Sequence, residues 1–227
     1  MRLSQAAMEA LQKEIDGKIL PGDEVVVLGA VALRGTEVIL ERQWETLGKT
    51  FSKGFLYQTM KISIERAACK SREDAPMSDV WKMAEAAGAH ALYAMGEGGV
   101  LSALWKMAEA SGVGLDVDLR KIPVCQETIE ICEALDLHPY RLQSEKAILA
   151  AIPSAQGLVQ ELQRKEIPAA IIGHANRSND RRLYSGESFR YLERPARDEL
   201  FRLECESANS GKDLLMSSAA GSEQERI

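Results

Sequence analysis

The sequence predicts an α/β fold of the mixed-sheet, α+β kind. Three observations carry that expectation. Helical and strand-like stretches alternate along most of the 227 residues, which argues for helices packed on a sheet. Short apolar runs such as Val25-Val26-Val27 and Ala147-Ile148-Leu149-Ala150-Ala151-Ile152 have strand length and read as buried strands. Near the end, Leu183-Tyr184-Ser185 and Phe189-Arg190-Tyr191-Leu192 flank Gly186 and predict an antiparallel hairpin. No internal repeat is present.

Composition sets the bounds. Hydrophobic residues make up 45%, enough for a packed core. Net charge is −6 and the basic residues are dispersed, which leaves no nucleic-acid footprint. No apolar run approaches membrane-spanning length. The N-terminus leads into Glu9, Lys13, Glu14 and Asp16 and is no signal peptide, so a cytoplasmic protein is expected. Cys69, Cys125, Cys132 and Cys205 form no C-x-x-C pair, and three scattered histidines complete no metal pattern.

In chain order, residues 4–15 predict a helix capped by Ser4, with Leu3, Ala7, Leu11 and Ile15 on one stripe. Pro21-Gly22-Asp23 is a turn, residues 24–28 a strand and residues 29–35 a loop of small residues. Helices follow at 36–47, 53–69 and 79–87, the last capped by Ser78 and closed by Gly88. Residues 90–95 form a strand that enters Gly96-Glu97-Gly98-Gly99. Beyond it Leu101, Leu104, Trp105 and Ala108 mark one helix face, and Gly112 stops the helix. Leu115, Val117 and Leu119 alternate with Asp116 and Asp118, a half-buried strand with a solvated side. A helix is expected over 126–135, a turn or short helical piece over 138–142, a strand over 147–152 and a helix beginning at Pro153-Ser154. A buried strand over 168–173, the hairpin and a last helical turn over 195–200 complete the order. Residues 204–227 are Ser-, Ala- and Gly-rich and read as a disordered tail.

The glycine turn is the stretch most suited to a ligand. Gly96, Gly98 and Gly99 leave backbone N–H groups bare at a helix start, which attracts phosphate. Glu97 works against an anion by like-charge repulsion. The same glycines also suit a tight strand-to-helix turn that binds nothing, and both readings stand. Trp105 reads as core, and Asp116 and Asp118 as the wet side of a strand rather than a metal pair.

The run EGGVLSALWKMAEASGVGLDVDLRKIPVCQETIEICEALDLHPYRL, residues 97–142, resembles the C-terminal domain of the AIR synthase-related proteins. These stand close to hydrogenase expression/formation protein E in the PurM-like superfamily. The resemblance reaches back to Pro21-Gly22-Asp23 and forward through Ser178-Asn179-Asp180-Arg181 and Tyr191-Leu192-Glu193-Arg194-Pro195 to Asp198-Glu199-Leu200. It implies a PurM-like C-terminal domain over 21–203, preceded by a helix and linker over 1–20.

The resemblance also implies a cleft shared with an N-terminal domain that carries acidic metal ligands and most of an ATP site. The stretch before Pro21 holds no counterpart of that domain. The expectation is therefore a domain with no catalytic or metal residue of its own. ATP and Mg²⁺ would enter only if a partner completes the cleft. Relatives have Asp, then Thr two residues later; Ala94 and Gly96 stand here, while Glu97, Gly98 and Gly99 match. A second loop, Ser-Ser-Gly-Ser in relatives, is Ser144-Glu145-Lys146-Ala147. The weak phosphate candidates are Gly96, Glu97, Gly98 and Gly99, with Ser144 and His174 as possible cleft lining. The expected partners are a second copy or a separate ATP-binding subunit, with no nucleic acid and no membrane. Hydrogenase expression/formation protein E ends in a catalytic cysteine; Cys205 lies near that place but is followed by residues 206–227.

Overall fold

The structure is a computed structural model that describes residues 3–203. The expected tail and Cys205 lie outside the described residues. Helix α1, Gln5–Glu14, is capped by Ser4, whose Oγ accepts from the Ala7 N–H at 3.3 Å. A short strand β1, Asp16–Gly17, follows and was not expected from the sequence. Next come β2, Glu24–Leu28, α2, Leu33–Leu47, and α3, Lys53–Glu65. Then α4, Asp79–Ala86, leads to β3, Ala91–Ala94, α5, Gly99–Ser111, and β4, Gly114–Asp118. After α6, Gln126–Ala134, the chain makes a 3-10 turn at Pro139–Arg141 and enters β5, Ile148–Ile152. Helix α7, Gln156–Arg164, precedes β6, Ala169–Asn176, β7, Arg181–Ser185, and β8, Ser188–Tyr191.

The strands form one mixed 8-stranded sheet in the order β1-β3-β5-β2-β6-β4-β7-β8 among the described residues. Neighbours are antiparallel except β4 and β7, which run parallel from Leu115↔Arg181 to Asp118↔Tyr184. Alternation along β2 explains the layers. Val25 and Val27 enter one core with Leu11, Ile39, Leu56, Leu104 and Ile131, from α1, α2, α3, α5 and α6. Val26 and Leu28 enter the other with Trp81 of α4 and Leu158 of α7. The second face changes character at β4 and β7. There Asp116 accepts from Asn176 Nδ2 at 2.6 Å and Tyr184 Oη at 3.2 Å, and pairs with Arg182 at 2.8 Å.

Several expectations shift in detail. The α1 stripe buries Leu11 and Ile15 and packs Leu3 against the core, but Ala7 is exposed. Helix α2 starts three residues earlier than expected, at Leu33. Helix α3 ends at Glu65 rather than Cys69, because the next backbone is claimed by loops. The Arg66 carbonyl accepts from Ala30 N–H at 3.1 Å, and Ala68 N–H donates to the Lys146 carbonyl at 2.9 Å. Residues 195–198 are irregular, and the last helical residues begin at 200. Trp105 is only half-buried, with the guanidiniums of Arg181 and Arg194 at 5.6 and 5.9 Å from its ring centre. The hairpin around Gly186 is present as β7 and β8.

Candidate functional site: a capped glycine turn

Strand β3 delivers the chain to Gly96, and α5 leaves from Gly99. Gly98 and Gly99 both take the left-handed conformation, with φ of 75° and 64°. A Cβ on Gly99 would stand 2.6 Å from the Tyr140 carbonyl oxygen and 2.7 Å from that of Leu142. No other residue fits there, because the opposing atoms are backbone. The Gly96 carbonyl accepts from Gly99 N–H at 3.3 Å and Ser144 N–H at 3.2 Å. The turn is therefore packed tightly against the segment around residues 140–144. Gly96, Gly98 and Gly99 are buried, and Glu97 alone among the four is exposed.

One N–H of the turn is engaged by the chain itself. Gly98 N–H donates to Asp198 Oδ2 at 2.7 Å, across a hundred residues of sequence. Asp198 Oδ1 accepts from Leu200 N–H at 3.0 Å. Burial raises the Asp198 carboxyl above the usual range, and the Leu200, Gly98 and Gln143 N–H groups offset part of that rise. A carboxylate at the start of a helix is favoured by the helix dipole for the same reason a phosphate is. Outside this contact lies a cleft of about 500 Å³ lined in part by Arg34, Arg42, Glu97, Gln143 and Arg197.

On the other side of the turn a cation stands beside Ala94. Arg72 Nε donates to the Ala94 carbonyl at 3.2 Å, and its Nη2 meets Glu14 Oε2 at 2.8 Å and Tyr93 Oη at 3.3 Å. The Arg72 side chain comes within 3.5 Å of the point where a Cβ on Gly96 would stand. Lys106 Nζ reaches Tyr93 Oη at 3.1 Å. Burial works to raise the Glu14 carboxyl, but Arg72 and Lys106 outweigh it and hold the group below its ordinary value.

The two other candidates do not join this site. Ser144 is 1% exposed; its hydroxyl accepts from Ala32 N–H at 2.8 Å and donates to the Leu142 carbonyl at 2.9 Å. That is a loop staple rather than a cleft wall. His174 is exposed on β6, opposite Asp116 and Glu24 in the strand register. Lys146, where relatives have glycine, is turned inward to an ion pair with Glu37, which also accepts from Ser63 Oγ at 2.6 Å. Sequence reasoning missed Arg72 and Asp198. Each is an ordinary charged residue in its own segment, and only the fold brings it to the turn.

A mixed sheet covered by helices on both faces, with a glycine turn leading from one strand into the central helix of one layer, defines a PurM-like C-terminal domain. The chain belongs to the AIR synthase related protein family: the model of its C-terminal domain matches residues 21–185. Among solved structures, the chain is similar to the hydrogenase maturation protein HypE from E. coli. The TM-score is 0.62 at 21% identity, over 80% of this chain and 52% of that one. A HypE–HypF complex gives 0.60 at 20% identity, over 78% and 54%. HypE in complex with ATP gives 0.53 at 17% identity, over 78% and 51%. The chain thus spans about half the length of the structures it matches, and at these identities the likeness concerns the fold. No curated protein matches the sequence. No helix among the described residues is long and apolar enough to cross a membrane.

Proposed function

We propose that residues 21–203 act as a binding or assembly module that does no ATP chemistry by itself. The observation that carries this reading is Arg72 bonded to the carbonyl of Ala94. The resemblance places a relative's aspartate at position 94. Ala94 has no carboxylate to accept a proton or to orient a metal-bound water during phosphoryl transfer. A methyl group offers no oxygen to a metal ion, and the Arg72 guanidinium already holds the Ala94 carbonyl, so these residues do not fit Mg²⁺. Asp198 supports the same reading, since its carboxylate occupies one N–H of the turn and places a negative charge at the helix start. The protein mixed with ATP and Mg²⁺ is expected to release no phosphate above a buffer blank. Turnover that disappears in Gly98→Val would overturn the proposal.

A second reading has its own support. The domain would be half of an ATP-dependent enzyme, completed by a separate ATP-binding subunit. Tyr57, Ile64 and Met77 are 63%, 71% and 74% exposed, an apolar surface of the kind that marks contact sites. Titration with an isolated ATP-binding domain of a relative distinguishes the two. Phosphate release only in the mixture favours the half-enzyme, and release in neither sample favours the module.

A further inference from the structure

The fold collects arginines that the sequence leaves scattered. A cavity of about 110 Å³ lies between the first turn of α5, the hairpin and the segment after β8. Arg141 from the 3-10 turn, Arg190 from β8 and Arg194 from the following segment all line it. Among the described residues, none of the three forms an ion pair. Arg190 is opposite Leu183 in the hairpin, and Leu183 belongs to the core beneath α5. Arg190 is thereby on the face of the sheet that carries α5, beside the cavity that Arg141 also lines. Glu193 also lines the cavity, so the group carries an excess of two positive charges.

We propose that this cavity binds a phosphate group, held by Arg141, Arg190 and Arg194. Charge, size and surroundings agree on that ligand. Like charges gathered on one small cavity repel, and an anion of charge near −2 relieves the repulsion. Guanidinium forks match phosphate oxygens in pairs. Arg194 rests over the face of Trp105, a contact that leaves its in-plane N–H donors available. Leu101 and Leu183 line the cavity between the guanidiniums, and Arg190 and Arg194 are exposed there, open to an incoming anion. The field is felt nearby: His138 is pushed below its ordinary value by burial first, then by Arg141 and Arg190. Three separate elements supply the guanidiniums, so the rigid fold sets their spacing. This site lies beside the glycine turn but uses none of its buried donors, and it stands whether or not the domain takes part in ATP chemistry.

The test uses the whole chain. Amide spectra are followed during titration with potassium phosphate, with potassium chloride at matched ionic strength as control, and with glycerol 3-phosphate as a second ligand. Saturable shifts at Leu101, Ser102 and Arg190 are expected with phosphate and not with chloride. Tighter binding of phosphate than of the ester assigns the site to the free ion; the reverse assigns it to a phosphorylated small molecule. Arg141→Gln and Arg190→Gln should each weaken binding about tenfold, the order expected for one hydrogen bond between charged groups. Arg190→Lys should retain part of it. Arg34→Gln, on the neighbouring cleft, should change nothing. Shifts that follow chloride equally, that survive the Arg141→Gln/Arg190→Gln double variant, or that are confined to Gly98–Val100 would overturn the proposal.

Discussion

Replacing Gly99 with alanine tests whether the glycine turn is shaped by packing. The substitution does two separable things. It forces a side chain into the left-handed region at φ 64°, and it drives a Cβ to 2.6 Å from one carbonyl oxygen and 2.7 Å from another. The backbone penalty alone is about 1–2 kcal/mol. Overpacking against atoms that cannot rotate away adds about 1–3 kcal/mol. Gly112 provides the control. It ends the same helix at φ 68°, and a Cβ there meets nothing within 4 Å. Gly112→Ala should therefore cost only about 1–2 kcal/mol, and Gly99→Ala about 2–5. For a domain of this size each kcal/mol lowers Tm by about 2–4 °C. Urea unfolding followed by far-ultraviolet circular dichroism gives both values from the midpoints, provided the slope is unchanged. Equal losses in the two variants would refute the reasoning. They would mean that residues 140–142 do not press on the turn, and that its glycines serve conformation only.

Two further outcomes follow from charged and apolar side chains outside the turn. Burial tends to raise the Glu37 carboxyl, but Lys146, Ser63 and Arg34 hold it below its ordinary 4.5. Its contribution is therefore present above pH 4.5 and is lost as pH falls through the depressed value. The double variant Glu37→Leu/Lys146→Met should lack that acid-side loss, while Glu37→Gln alone should cost about 3 kcal/mol by leaving Lys146 buried and unpaired; urea midpoints from pH 3 to pH 7 check both. Ile64 is 71% exposed on α3, so Ile64→Ser should shift sedimentation toward monomer while changing stability by less than about 0.5 kcal/mol. A parent protein that sediments as a monomer at every concentration would remove the case for association through α3.

Local order was legible because local rules decided it. Ser4 and Ser78 cap the helices they precede, the latter accepting from Trp81 N–H at 3.2 Å. Leu115 and Val117 face the core while Asp116 and Asp118 do not, as the alternation implied. What escaped the sequence depends on distant partners. Ser144 looked like a cleft residue until Ala32 and Leu142 claimed its hydroxyl. Asp198 and Gly98 carry no mutual signature, and neither do Arg141, Arg190 and Arg194. Their placement is a property of sheet order, which periodicity does not encode.

That order has a consequence for how the chain is made. Strand β2 pairs along its two edges with β5 and β6, both of which follow it in the chain. Its partners Ile152 and His174 emerge from the ribosome more than a hundred residues after Glu24. At roughly 5–20 residues per second the wait is on the order of ten seconds. Throughout that interval Val25-Val26-Val27-Leu28 has neither hydrogen-bonding edge satisfied by its native neighbours. Such a run, apolar and β-branched, is a natural template for wrong pairing. Pulse-labelled nascent chains stalled before residue 148 should therefore be retained by holdase chaperones, and chains stalled with β6 clear of the exit tunnel should be released.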